Sequence, residues 1–561
     1  MAAASAVAAA ATAGTSVVVA VVPATVVVAA AVVVAAEAVA VAAAVGDDRS
    51  GRKPSGLSPG LGAGWRPPLA NVLAQRSDLT FVEVIAEAVD PRAPLPASLA
   101  TLAGRGVPIV PHGIRLSLGS TERPQPARVA RLAAVAQRCQ APLVSEHVAM
   151  VRAGGLEAGH LLPVPLTRQS LDVVVGNVRA VTAELGVPLA LEHPASLLRW
   201  PADHLHPADF LTELAERTDA LLVLDVANLH ADRHNHGLDP ARFLDRLPWE
   251  RIAYVHVAGG VEHDGRYHDT HRHPVPPAVL DLLAEAVHRC PHRLPVMLER
   301  DGDYPSAAGM NAELDAVAGV LSVAPAAQPA PRFADSCRTA KPAGGWNAAP
   351  QADLAAEQPD PADEQRVPAA EQRDLAAEQR DLAVEQRDLA VEQRDLAVEQ
   401  VDLVRALVAG GPDPAAFDPA GLAATRAALL DKRTREVAAV WPALARIPGF
   451  ADRFAHYAAG APPRGPVADG CAFAESVRTT LGIVAVAELL THTLPRRPFA
   501  VRTGRSADRR AVAAVRLPGG AFRLLKFPAP PIDPGSRSSP TGRRPWTRPD
   551  QSATNPILPR S

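Results

Sequence analysis

From residue 61 to about residue 300 the chain repeats one pattern: a short apolar run that ends abruptly in a histidine or a carboxylate. Val107–Val110 runs into Pro111, His112 and Gly113. Pro142–Val144 runs into Ser145, Glu146 and His147, and Val187–Leu191 into Glu192 and His193. Leu221–Leu224 runs into Asp225, Ile252–Val255 into His256, and Leu294–Leu298 into Glu299, Arg300 and Asp301. Two earlier runs, Leu61–Trp65 and Thr80–Ile85, bring the set to eight. Apolar runs of this length between turn signals suit strands buried on both faces. Between them lie stretches with apolar residues three and four apart, such as ARVARLAAVAQRC (Ala127–Cys139) and PAVLDLLAEAVHRC (Pro277–Cys290), which predict helices. Eight such alternations in about 265 residues predict an α/β fold, a (β/α)8 TIM barrel. A doubly wound open sheet would carry a Gly-rich phosphate turn after its first strand, and LGAGW at Leu61–Trp65 lacks GxGxxG.

In a barrel all strands run parallel, so residues at strand ends converge on one rim, the C-terminal face. Six consecutive runs thus bring His112, His147, Glu192, Asp225, His256 and Glu299 together. Asn228 follows Asp225 within a stretch dense in metal-capable groups, LDVANLHADRHNHGLDP, and Asp269 and His271 stand in a DTH segment after the seventh run. Imidazole and carboxylate without thiolate suit iron, manganese or zinc. So many donors exceed what one ion uses, so two or three ions bridged by carboxylates such as Glu192 are the economical reading. Sixteen of the 18 histidines lie between His112 and His292, but not all belong to such a site. His160, His204, His206, His288 and His292 fall on loops or helices and read as structural. Glu83 and Glu87, near the second run, read equally as carboxylates behind the ligands or as surface and helix-start residues.

The remaining chain reads as separate units, because 561 residues exceed one ordinary core. Residues 1–57 are Ala/Val-rich low-complexity sequence and a linker, and 58–324 form the barrel. Residues 325–403 are a Pro/Ala-rich linker with a repeated EQRDLAV unit, 404–495 a small helical domain, and 496–561 a small hairpin and a disordered tail. Val17–Ala36 is long and apolar enough to span a bilayer. It has no basic segment before it and no Leu or Phe core, so low-complexity sequence, or a start codon set too far upstream, is expected over a membrane segment. In the repeat, only Leu375, Leu382, Leu389, Leu396 and Leu403 recur as large apolar residues. One per seven makes no coiled-coil seam, and a helical spacer is expected. Asp418-Pro419 predicts a helix start. A formal net charge of −3 argues against nucleic-acid binding, and four dispersed cysteines with no CxxC pair predict reduced, cytoplasmic thiols.

The motifs PHGIRLSLGS (Pro111–Ser120), VSEHVAM (Val144–Met150), HLLPVPLT (His160–Thr167), LEHPAS (Leu191–Ser196), LDVANLHADRHNHGLDP, HVAGG (His256–Gly260), DTH and ERDGDYP (Glu299–Pro305) stand in a recognisable order. Together they resemble the multinuclear non-haem iron-dependent oxidative enzymes. This is the TIM-barrel family of the methanobactin-biosynthesis oxidase, long catalogued as a domain of unknown function. The resemblance spans about residues 58–322 and implies two or three iron ions and O2-dependent oxidation of cysteine in a ribosomally made precursor peptide. It implies that His112 and His147 hold a first iron and Glu192 bridges. Asp225, Asn228 and His256 then hold a neighbouring iron, and Asp269, His271 and Glu299 complete the cluster. His193, Ala227, His230, Ala88-Val89 and Gly260 depart from the family's usual residues. The C-terminal part resembles the helical domain fused to actinobacterial barrels of this kind, and more distantly their separate helical partner proteins. With His456, His492 and Cys471 as its only such groups, it is expected to capture substrate and not to perform chemistry. The competing readings are a non-redox divalent-metal barrel, a xylose-isomerase-like sugar isomerase or a phosphoesterase, and a metal-dependent scaffold. An isomerase is expected to have a lysine near the mouth, and residues 61–324 contain none.

Overall fold

The computed structural model describes residues 55–323, 391, 393–495, 497, 499–518 and 521–527. The expected membrane-length stretch, most of the linker and repeat, Cys337 and the tail from Pro528 lie outside these residues. No helix among the described residues is long and apolar enough to cross a membrane.

Eight parallel strands close into a barrel in the order β1-β12-β9-β8-β7-β4-β3-β2. They are β1 (Gly60–Trp65), β2 (Phe81–Ile85), β3 (Ile109–Gly113), β4 (Val144–His147), β7 (Leu189–Glu192), β8 (Leu221–Asp225), β9 (Ile252–Val257) and β12 (Pro295–Leu298). Each predicted run is present, but several ladders extend into the polar residues that follow. His112 pairs with Ser145, His147 with Glu192, and Asp225 with His256. His112, His147, Glu192, Asp225 and His256 are therefore held in the sheet itself, whereas Glu299 lies just past β12 and Asp269 and His271 in the segment after the seventh barrel strand. Strands buried on both faces explain the near-continuous Val, Leu and Ile content. Helices such as Pro126–Cys139, Arg168–Leu185 and Pro277–Arg289 cover the outside, with residues such as Leu132, Val174 and Leu283 in the shared core.

The rim carries two additions that the hydrophobic pattern does not announce. β5 (Ala149–Ala153) and β6 (Leu156–Pro163) form a hairpin after β4, and β10 (Val261–His263) and β11 (Arg266–His268) form another after β9. The β5–β6 hairpin approaches the 113–120 loop closely. A Cβ on Gly119 would lie 1.9 Å from Val164 Cγ1, so only glycine fits there.

The C-terminal region docks on the β5–β6 hairpin. A helix over 393–408 presents Leu396, Gln400, Leu403, Val404 and Leu407 as one buried stripe. With Phe417, Leu422 and Leu429 it forms a shared apolar cluster with Met150, Leu162, Leu198 and Trp200 of the barrel. Gln400 bridges the contact, accepting from the Thr121 N–H at 2.9 Å and donating to the Gly119 carbonyl at 2.8 Å. The last two repeat units thus form most of a docking helix where the leucine spacing alone suggests a spacer. Beyond it lie helices Pro419–Val440, capped by Asp418 as expected, Phe450–Ala458, Pro466–Ser476 and Ile483–His492. An antiparallel sheet of β13 (Ala500–Arg505), β14 (Ala511–Arg516) and β15 (Phe522–Phe527) follows. Ala500, Val512 and Ala514 join Trp441, Phe454 and Leu489 in one core, so two strands of this sheet complete the helical domain.

Candidate metal centre

The strand-end residues meet in one buried cluster. His112, His147, Glu192, Asp225, His256 and Glu299 are each less than a tenth exposed. Four sets of ligand atoms approach closely enough for a common ion: His112, His147 and Glu192; Glu192, Asp225 and His256; Asp225, His271 and Glu299; and Glu83, His256 and Glu299. Within a set the atoms lie within 4.8 Å of one another.

The first three sets form a chain, linked by Glu192 and then by Asp225. Glu192 Oε2 lies 3.8 Å from His112 Nε2, 3.6 Å from His147 Nε2 and 3.3 Å from His256 Nδ1. Asp225 Oδ2 lies 3.8 Å from His256 Nδ1, and Glu299 Oε2 is 3.4 Å from that nitrogen and 3.2 Å from His271 Nδ1.

Each imidazole is pinned through one nitrogen and leaves the other facing these carboxylates. The His112 Nδ1 is 2.8 Å from Ser145 Oγ, and the Tyr254 hydroxyl is 2.7 Å from both that oxygen and Glu83 Oε2. A consistent relay has His112 donating to Ser145, Ser145 to Tyr254 and Tyr254 to the Glu83 carboxylate, which leaves His112 Nε2 bare. His147 Nδ1 faces the Gly113 carbonyl at 3.3 Å, His256 Nε2 faces Glu83 at 2.9 Å, and His271 Nε2 faces Asp269 at 2.6 Å. Partners of this kind fix the tautomer of a metal-bound histidine.

Local structure sets the carboxylates in the same way. Asp225 caps the helix Val226–His236, with Oδ1 accepting from the N–H of Ala227 at 2.6 Å and of Asn228 at 2.8 Å. Its Oδ2 is left buried without a hydrogen-bond partner, as are Glu192 Oε2 and His256 Nδ1. Buried acceptors without partners cost free energy, and all three point into one cluster. That is the signature of a cation site, and its all-nitrogen-and-oxygen donor set fits iron, manganese or zinc. Arg66 braces the opposite edge, donating to Glu299 Oε1 at 2.9 Å and Asp301 Oδ1 at 2.7 Å.

Proton affinities reflect the same crowding. Burial disfavours protonated His147, yet Glu192 and Glu146 outweigh it and hold the imidazole up at about 9. Burial likewise opposes charge on His256 and His271, and their carboxylate neighbours raise both well above the usual histidine range. Burial, with Asp269 and Glu192 nearby, pushes Asp225 up to about 8. Glu192 is held at about 2, because His256 and His147 override the burial that would raise it. Protons and metal ions compete for the same lone pairs.

Two further predicted ligands, Asn228 and Asp269, contact residues of the cluster, and Asp269 Oδ1 is also buried without a partner. Asn228 donates from Nδ2 to Glu192 Oε1 at 3.1 Å and to the His193 carbonyl at 3.0 Å, and Asp269 orients His271. The dense run after Asp225 is a helix. Its later residues turn elsewhere: Asp232 meets His193, His236 the Ser196 carbonyl and His230 the Tyr267 ring. Glu83 is the carboxylate that strand-end reasoning undervalues. It is fully buried inside β2, and its signal was a charge in the middle of an apolar run, TFVEVI. Gly260, one of the departures, is required by packing, since a Cβ there would meet His268 O at 2.4 Å and the Tyr267 ring at 2.5 Å.

Fold and rim define a parallel (β/α)8 barrel with a His/carboxylate cluster at its C-terminal face. Residues 60–322 match the profile of the RiPP precursor modification enzymes MbnB/TglH/ChrH, and residues 397–479 match the SCO6045-like C-terminal domain. The chain belongs to that family of modification enzymes of ribosomally made peptides. A UPF0276 protein of Streptomyces avermitilis is 49% identical over 272 residues, which is 47% of this chain and 55% of that protein. The chain thus spans about half the length of this relative. A UPF0276 protein of Caulobacter vibrioides is 33% identical over 258 residues, 46% of this chain and 92% of that protein. Among solved structures, endonuclease IV from Thermus thermophilus is 18% identical, with a TM-score of 0.33 over 47% of this chain and 99% of that one.

Proposed function

We propose that this chain is a multinuclear iron-dependent enzyme that uses O2 to modify a ribosomally made peptide at cysteine. One observation carries the metal part: four imidazoles, each pinned at one nitrogen, turn the other toward carboxylates, and the Glu192 and Asp225 oxygens that His112, His147 and His256 face are buried without a partner. His112, His147 and Glu192 would hold one ion, Glu192, Asp225 and His256 a second, and Asp225, His271 and Glu299 a third. Bound there, iron supplies the redox chemistry with O2 that removes electrons from the substrate sulfur. Family membership supports a peptide substrate, and the resemblance of the strand-end motifs supports iron and cysteine.

The residues behind the ligands do separable work. Glu83, Asp269 and the Ser145–Tyr254 pair hold ring orientation and proton position. Asn228 holds Glu192 toward the histidines, and Arg66 fixes Glu299. Anaerobic purification of the full chain, elemental analysis and Mössbauer spectroscopy test the reading. Two or more irons per chain are expected. A chain that takes up zinc alone, or one iron, refutes it.

A further inference from the structure

The barrel segment contains no lysine, yet an ammonium reaches its mouth. Lys432 stands on the helix Pro419–Val440, and its Nζ is 3.1 Å from His160 Nδ1 on β6. An ammonium only donates, so the imidazole accepts and is neutral at that nitrogen. Burial and the adjacent Lys432 hold His160 well below the usual histidine range, and the next charges acting on it are those of His147 and His271, two members of the metal centre. Lys432 in turn feels Asp301, which lies 3.8 Å from His271 Nδ1. The helical domain therefore brings a cation against the β5–β6 hairpin that follows β4 at the rim.

No carboxylate among the described residues lies within ion-pair distance of Lys432. Its neighbours Arg426, Arg433 and Arg435 pair with Asp413, Asp469 and Asp431. Burial lowers the proton affinity of Lys432; Glu436 and Asp301 act against this from beyond ion-pair distance, and Arg435 and Arg115 act with it more weakly. A half-buried ammonium whose one partner is a neutral imidazole is short of a counter-charge. An anionic group entering the mouth would supply it.

We propose that Lys432, propped by His160, is a substrate-binding residue that receives a carboxylate of the thiol substrate at the barrel mouth. The geometry makes the helical domain part of the substrate site and not only a remote capture module. The inference rests on the proposed metal centre only for the placement of the thiol.

The test uses the full-length, iron-loaded chain and small probes, kept anaerobic. Binding of 3-mercaptopropionate and of its neutral amide is measured by calorimetry, with metal content determined on each sample. Charge-assisted hydrogen bonds predict that the wild type prefers the acid by roughly tenfold or more. Lys432→Met should abolish the preference with iron content unchanged, and Lys432→Arg should keep most of it. Equal affinity for acid and amide in the wild type overturns the proposal without needing any variant, and so does a preference that survives in Lys432→Met. A purely structural role for Lys432 would alter both affinities together, which also overturns it. A wild type that holds no iron refutes the metal reading, whereas an iron-loaded chain with no preference refutes the anion site alone. Three dipeptides, N-acetyl-Ala-Cys as the free acid, N-acetyl-Asp-Cys amide and N-acetyl-Cys-Asp amide, separate a C-terminal carboxylate from an acidic side chain. Lys432-dependent binding of any of them supports the site and names its source.

Discussion

Glu192→Gln removes one negative charge and almost no volume, so it separates electrostatics from packing. Glu192 belongs to two of the ligand sets, and its Oε2 faces His112, His147 and His256 at 3.3–3.8 Å. If it bridges, its carboxylate neutralises two cations at once. A charge pair at about 4 Å is worth about 4 kcal/mol at an effective dielectric of about 20, or roughly a thousandfold in affinity for each cation. The Asn228 amide, which donates to Glu192 Oε1, keeps an acceptor in the variant through the Gln carbonyl, so the fold is expected to survive. Anaerobic desalting followed by elemental analysis should therefore show loss of more than one iron equivalent. His160→Ala serves as the control, since His160 meets Lys432 and none of the ligand sets, and it should lose none. Equal iron in the two variants, or loss of a single equivalent in Glu192→Gln, would refute the bridge.

Glu83→Gln should lower iron content and disturb the spectroscopic signature of the centre, because Glu83 holds both His256 and Tyr254; an unchanged Mössbauer spectrum would contradict that role. Gln400→Leu leaves the Gly119 carbonyl and Thr121 N–H unpaired at the docking surface, at a cost of about 1–3 kcal/mol; denaturant unfolding measures it, and iron content should not change. A chain ending at residue 324 should retain iron but expose Met150, Leu162, Leu198 and Trp200, so light scattering should show self-association. If that chain folds yet purifies without metal, the rim is not the metal site.

The barrel was legible because its strands are buried on both faces, and each apolar run stops where the rim begins. Strand-end polar residues were legible for the same reason. Tyr254 was not, because a polar residue inside an apolar run is masked by its neighbours, and for the same reason Glu83 read equally as a carboxylate behind the ligands or as a surface residue. Asn228 and Asp269 were found as members of the site, but spacing along the chain does not say whether a side chain faces the centre or braces a residue that does. The docking helix escaped for a different reason. Its stripe of Leu396, Gln400, Leu403, Val404 and Leu407 runs from the last regular EQRDLAV unit through the degenerate EQVDLVR and past it, and its centre is a glutamine satisfied by backbone groups of a distant loop. Residues 61–324 contain no lysine, but Lys432 of the helical domain meets His160 of the β5–β6 hairpin, a contact across the two regions that no spacing announces.

The contact between the 393–408 helix and the β5–β6 hairpin has a consequence for assembly. A helical partner encoded separately would leave the rim at high dilution, and the fraction of complete sites would fall with total protein. Here the rim and the helix docked against it share one chain, so their encounter is intramolecular. The contact is then independent of how much protein the cell makes, and neither half can be produced in excess of the other.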